Sequence, residues 1–187
     1  GVLLYAPAAC YGRPDDLKRL VAACHGRGLA VFLDVVYNHF GPEGNYLPAI
    51  APDYFTEQHQ TPWGAAINYD GQNNRSVRDF VVHNAIYWLD EFNCDGLRLD
   101  AVHAIADDSE PHILAELAQT VRRRFPDRDI HLVLENERNE AHRLRPPGGD
   151  ATGYSAQWND DLHHALQGLT VGETAGYYAD FADCPAA

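Results

Sequence analysis

Gly96-Leu-Arg98-Leu-Asp100 decides how this chain is read: a short apolar run, broken by one arginine and closed by an acid. Two other stretches share the form, residues 30–36 (Ala-Val-Phe-Leu-Asp-Val-Val) and residues 130–134, the latter closed by Glu135. Short, nearly continuous apolar runs are the pattern of strands buried in a parallel sheet. Helical periodicity fills the intervals: residues 15–27 after Pro14, residues 76–91 with Ser76 as the expected cap, and residues 110–125. This alternation predicts an α/β fold of parallel strands joined by crossover helices. Polar residues at the C-terminal strand ends favour a partial TIM (β/α)8 barrel, whose chemistry sits at that rim. The competing doubly wound sheet would carry a Gly-rich phosphate turn, and none follows any strand here.

Residues 1–5 and 154–158 are further strand candidates, giving five at most, whereas a closed barrel takes about 250 residues. The 187 residues include no methionine and begin Gly-Val-Leu-Leu-Tyr. Residues 1–187 are therefore expected to be the central part of a catalytic barrel, about strands 2 to 6, with a long loop excursion at 42–74. Arg145-Pro-Pro-Gly-Gly-Asp150 reads as a turn.

Lysine and arginine total 14 against 27 acids, a net charge of -13, which disfavours nucleic acid and anionic membrane as partners. No apolar run approaches the roughly 20 residues of a membrane span. Cys10, Cys24, Cys94 and Cys184 are widely spaced without a Cys-x-x-Cys pair, so reduced thiols and a cytoplasmic setting are expected.

A strand period of two places Arg98 and Asp100 on one face, where the guanidinium would favour the ionised carboxylate that a nucleophile needs. From this spacing alone a structural ion pair remains an equal reading. Glu135 closes another apolar strand, and partial desolvation there would raise its pKa toward that of a general acid. Glu137 lies on the same face if the strand continues, and spacing does not separate the two. Carboxylates converging from neighbouring barrel strands are the apparatus of glycoside hydrolysis. A metal site is the competing use, kept open by His39, His103, His163 and His164 but without any local ligand spacing such as His-x-x-x-His; no metal is expected.

Asp34-Val-Val-Tyr-Asn38-His39, Gly96-Leu-Arg98-Leu-Asp100-Ala-Val-His103 and Leu132-Val-Leu-Glu135, in that order, resemble three conserved regions of the α-amylase family of glycoside hydrolases. The resemblance implies Asp100 as nucleophile and Glu135, rather than Glu137, as acid/base. It also implies that Arg98, Asn38 and His39 support the nucleophile and the sugar beside it. Leu3-Leu-Tyr-Ala-Pro7, Tyr37-Asn-His-Phe-Gly-Pro-Glu-Gly-Asn-Tyr-Leu47, Asp100-Ala-Val-His-Ala104, Trp158-Asn-Asp-Asp-Leu-His-His-Ala165 and Gly176-Tyr-Tyr-Ala-Asp180 resemble the trehalose-releasing branch of that family. General amylases commonly carry Lys-His where His103-Ala104 stands.

This narrower resemblance implies cleavage of the α-1,4 bond beside the terminal trehalosyl unit of malto-oligosyltrehalose or a related α-glucan. An amylase- or branching-type enzyme is the alternative. The implied sugar-binding residues are Asn38, His39, Arg98, His103, Trp158, Asp160, Asp161, His163 and His164. For His163 and His164, capping of the following helix is the competing role; for Trp158, filling the barrel wall. The rings of Tyr46, Tyr54, Phe55, Trp63 and Tyr69 in the loop excursion either stack on sugar or form a satellite core. No cofactor is implied. The family's third carboxylate, an Asp following a His, has no match after Glu135, so these residues alone are expected to be inactive.

Overall fold

The computed structural model describes residues 3–41, 43–61, 63–144 and 153–181. In chain order it contains α1 (Pro14–His25), β1 (Phe32–Val35), a single turn α2 (Leu47–Ile50), a hairpin of β2 (Phe55–Thr61) and β3 (Gly64–Ile67), α3 (Arg75–Glu91), β4 (Gly96–Leu99), α4 (Ile113–Arg124), β5 (His131–Glu135), β6 (Ala156–Trp158) and α5 (Asp160–Val171). One sheet runs β1-β4-β5-β6, and every pairing in it is parallel. This is a partial α/β barrel wall. No described helix is long and apolar enough to cross a membrane.

Strand alternation divides this sheet into two faces. Leu97, Leu99, Leu132 and Leu134 are at most 1% exposed and share one core with Val81, Ala85 and Leu89 of α3 and Leu117 and Val121 of α4. The opposite face is layered by register. Phe32, Gly96 and His131 stand abreast, then Asp34, Arg98 and Val133; one step beyond come Asp100 and the Glu135–Trp158 pair. The register therefore takes the inner face from stacked rings, Phe32 and His131, at the bottom to ionic groups at the rim.

Gly96 is required in the lowest layer, because a Cβ there would lie 2.4 Å from the His131 carbonyl oxygen and 3.1 Å from the Phe32 ring. Backbone atoms of a paired strand cannot yield as a side-chain tip can. Gly96→Ala is expected to cost about 3 kcal/mol, the upper end for overpacking. Denaturant unfolding of the full-length protein measures this, and a loss below about 0.5 kcal/mol would mean that the β4–β5 ladder shifts freely.

Several local expectations are corrected. Residues 3–5 form no strand: the Leu4 carbonyl accepts from Asn84 Nδ2 at 2.8 Å and from Trp88 Nε1 at 3.0 Å, so α3 takes the group a strand partner would need. Gly1 and Val2 lie outside the described residues, as do Arg145 to Asp150 and Cys184, while Cys10, Cys24 and Cys94 are free thiols. The described sheet thus has four strands rather than five. Ser76 sits inside α3 and caps nothing; Asn74 holds the cap position without a side-chain cap bond, its amide donating instead to the Tyr69 carbonyl. α4 begins later than expected, at Ile113, where His112 Nδ1 accepts from the Leu114 N–H. The excursion at 42–74 is not bare loop, since it contains α2 and the β2–β3 hairpin. Its rings divide: Tyr54 and Tyr69 join the core, whereas Tyr46 and Trp63 are exposed.

Candidate active site

β1, β4 and β5 end at a common rim, and Arg98 is the hub there. Its guanidinium donates to Asp34 Oδ1 and to Asp100 Oδ1, each at 2.8 Å, and pairs with Glu135 Oε2 at 3.0 Å. The Arg98 side chain is 13% exposed, against 30% for Asp100 and 25% for Glu135. Burial works against its charge, but Asp34, Asp100 and Glu135 outweigh that and push the guanidinium pKa above its ordinary value. One cation thus bridges both acids.

Each acid has a second anchor. Asn38 Nδ2 donates to Asp100 Oδ2 at 3.1 Å and to the Asp100 carbonyl at 2.6 Å. Glu135 Oε2 accepts from the Ala101 N–H at 2.7 Å. Ala101 directs that N–H from a left-handed conformation, φ 39°, which costs a residue with a Cβ about 1–3 kcal/mol and is typical of functional sites. Glu135 therefore sits in a polar seat rather than the apolar one its strand suggested. His39 Nδ1 bonds Asn38 Oδ1, and its ring stacks on Trp63, with centroids 4.3 Å apart and planes at 17°. Burial holds the His39 pKa below its ordinary value against the pull of Asp100.

The remaining candidates fall into two groups. His103 faces Glu137, with Nε2 3.3 Å from Oε2 and Nδ1 accepting from the Glu137 N–H, so Glu137 pairs with His103, whereas Glu135 pairs with Arg98. Trp158 lies over Arg98, 4.7 Å from centroid to guanidinium carbon, and 57% of its surface is open. It leaves a ring face exposed beside the acids.

Asp160, Asp161, His163 and His164, by contrast, are not drawn into this cluster. Asp160 and Asp161 occupy the first turn of α5, favourable for negative charge, and Asp161 bonds Asn139. His163 faces Asp160 at 3.7 Å, and His164 packs on Tyr178 and Phe181. Neither histidine caps the helix; Asn159 does, accepting from the Leu162 N–H.

Asp34 and Ala101 were missed as candidates. Asp34 was readable, since alternation sets it on the Arg98 face; the left-handed turn at Ala101 leaves no trace in residue type.

A parallel barrel wall with an arginine-bridged Asp/Glu pair at its rim is an α-amylase type of architecture. The family description "Alpha amylase, catalytic domain" matches residues 8–63 of the chain, which is similar to members of the α-amylase family. Within it, the similarity is to malto-oligosyltrehalose trehalohydrolases. The Saccharolobus solfataricus enzyme is 45% identical over 97% of this chain and 31% of its own length, and the Arthrobacter ramosus enzyme 46% over 97% and 32%. The crystal structure of a candidate α-amylase from Salmonella typhimurium superposes with a TM-score of 0.92 at 49% identity, covering 99% of this chain and 31% of that one. The α-amylase of Geobacillus thermoleovorans, solved with acarbose, shares the fold at 23% identity and a TM-score of 0.69, over 88% and 38% of the two chains. The chain spans about a third of the length of the curated relatives it matches.

Proposed function

We propose that this chain supplies the nucleophile and the acid/base of a retaining glycoside hydrolase that releases trehalose from malto-oligosyltrehalose. The observation that carries the reading is the single guanidinium of Arg98 shared by Asp100 and Glu135, at the rim where barrel enzymes work. The named relatives, trehalohydrolases at 45–46% identity across nearly the whole chain, support the choice of substrate.

In this mechanism an Asp100 oxygen attacks the anomeric carbon while Glu135 gives its proton to the departing glycosidic oxygen. Glu135 then takes a proton from water, which cleaves the glycosyl-enzyme and frees Asp100 with retained configuration. Arg98 and Asn38 fix the attacking carboxylate, so its orientation is set before substrate arrives. His39 and His103 are proposed to bond sugar hydroxyls, and Trp158 to stack on a glucose face. Asp160, Asp161, His163 and His164 are proposed as the outer edge of the same sugar site, with α5 packing as their main support. We place the chain as the central part of the barrel.

Product analysis tests the substrate. The full-length protein is expected to release trehalose from a trehalose-capped malto-oligosaccharide and to cleave an uncapped chain of equal length at least about tenfold more slowly, a difference of about 1.4 kcal/mol in transition-state binding. Equal rates would favour an amylase-type enzyme. New α-1,6 branches would favour the second reading, which rests on 32% identity to a Leifsonia xyli 1,4-alpha-glucan branching enzyme over 87% of this chain.

A further inference from the structure

Away from the acid pair, three loops bring one histidine and two aspartates together. His59 on β2, Asp70 after β3 and Asp108 after β4 offer ligand atoms that all lie within 4.8 Å of one another. Asp70 is central: its Oδ2 accepts from His59 Nε2 and from the Asp108 N–H, each at 2.8 Å, and Asp108 Oδ2 stands 3.9 Å from His59 Nε2. The Asp70 side chain is only 7% exposed. Its other oxygen, Oδ1, is buried with no hydrogen-bond partner.

A buried carboxylate oxygen without a donor is costly, and each such group calls for an explanation. Because Oδ1 and Oδ2 share one carboxyl, a cation bound at the cluster would also compensate the orphaned oxygen. A polar cleft of about 470 Å³, lined by His59, Thr61, His103 and Asp108 among others, gives a hydrated ion a route in. The net charge of -13 favours cations at the surface.

We propose that His59, Asp70 and Asp108 form a divalent-cation site that ties the β2–β3 hairpin to the loop after β4. One imidazole nitrogen with two carboxylate oxygens suits Zn²⁺ or Mn²⁺ better than Ca²⁺, which takes six to eight oxygens. Bonds of about 2.1 Å in tetrahedral geometry set ligand atoms about 3.4 Å apart, between the 2.8 and 3.9 Å separations that His59 makes with the two aspartates. A small opening of the His59–Asp70 pair admits the ion. Ligands separated by 11 and 38 residues leave no local motif, which is why this cluster was not legible from residue spacing.

The test is titration of chelator-stripped full-length protein with ZnCl₂ and with MnCl₂ by calorimetry, which reads binding whatever the reaction is. One ion per chain is expected, with affinity falling about tenfold or more in Asp70→Asn and in Asp108→Asn. Asp108 is 89% exposed, so that variant should fold even if Asp70→Asn does not. Hydrogen exchange in the hairpin should slow when Zn²⁺ is added. Absence of binding at millimolar metal, or wild-type affinity in Asp108→Asn, overturns the proposal.

Discussion

Asp100→Asn in the full-length protein is expected to lower kcat by about 10⁴-fold or more and to leave no detectable glycosyl-enzyme. An amide cannot supply the anionic oxygen that attacks the anomeric carbon. It can still occupy the seat, because one of the two Asn38 bonds goes to the Asp100 carbonyl rather than to its carboxylate, and Arg98 keeps Asp34 and Glu135. The loss should therefore be chemical, with little change in substrate affinity or melting temperature. Rapid-quench assays with activated glycosides, alongside circular dichroism, would separate chemistry from folding. Retention of more than about a tenth of wild-type kcat would exclude Asp100 as nucleophile.

The second large effect is on protonation. Glu135→Gln is expected to slow the natural, poorly leaving glucan by about 10³-fold, near the middle of the range for general acid catalysis, and to slow aryl glycosides with acidic phenols far less. The glutamine oxygen can still accept from the Ala101 N–H, so the rim turn should persist. Glu137, 63% exposed and turned to His103, should show no such dependence on leaving group. If Glu137→Gln gave that pattern and Glu135→Gln did not, the acid would be Glu137.

How much of this was legible depends on which physical rule governs each residue. The strands at residues 32–35, 96–99 and 131–135 follow from burial on both faces of a parallel sheet, so apolar runs marked them to within two residues. Alternation then placed Arg98 beside Asp100, and the register set Asp34 opposite Arg98. The β2–β3 hairpin was not readable, because Phe55–Thr61 is mostly polar and carries a register irregularity between Thr56 and Gln60. Its pairing is local and exposed, so no apolar pattern is imposed on it. His163 and His164 were assigned to the sugar site by resemblance alone, but the phase of α5 decides where they point, and it turns His164 toward residues 176–181. Contacts formed by loops meeting from distant positions, such as His39 with Trp63 or His59 with Asp70 and Asp108, have no sequence period at all.

The central claim is that Asp100 forms a covalent bond to the sugar, and a trapping experiment addresses it directly. A fluorinated glucosyl fluoride would be incubated with the full-length protein: its electron-poor ring slows both formation and breakdown of the glycosyl-enzyme, while the good fluoride leaving group restores formation, so the adduct accumulates. Peptide mass spectrometry would then locate the label. The expected result is one sugar per chain on the peptide containing Asp100, absent in Asp100→Asn. A label on any other carboxylate, or efficient turnover giving a product of inverted configuration with no adduct, would contradict the account.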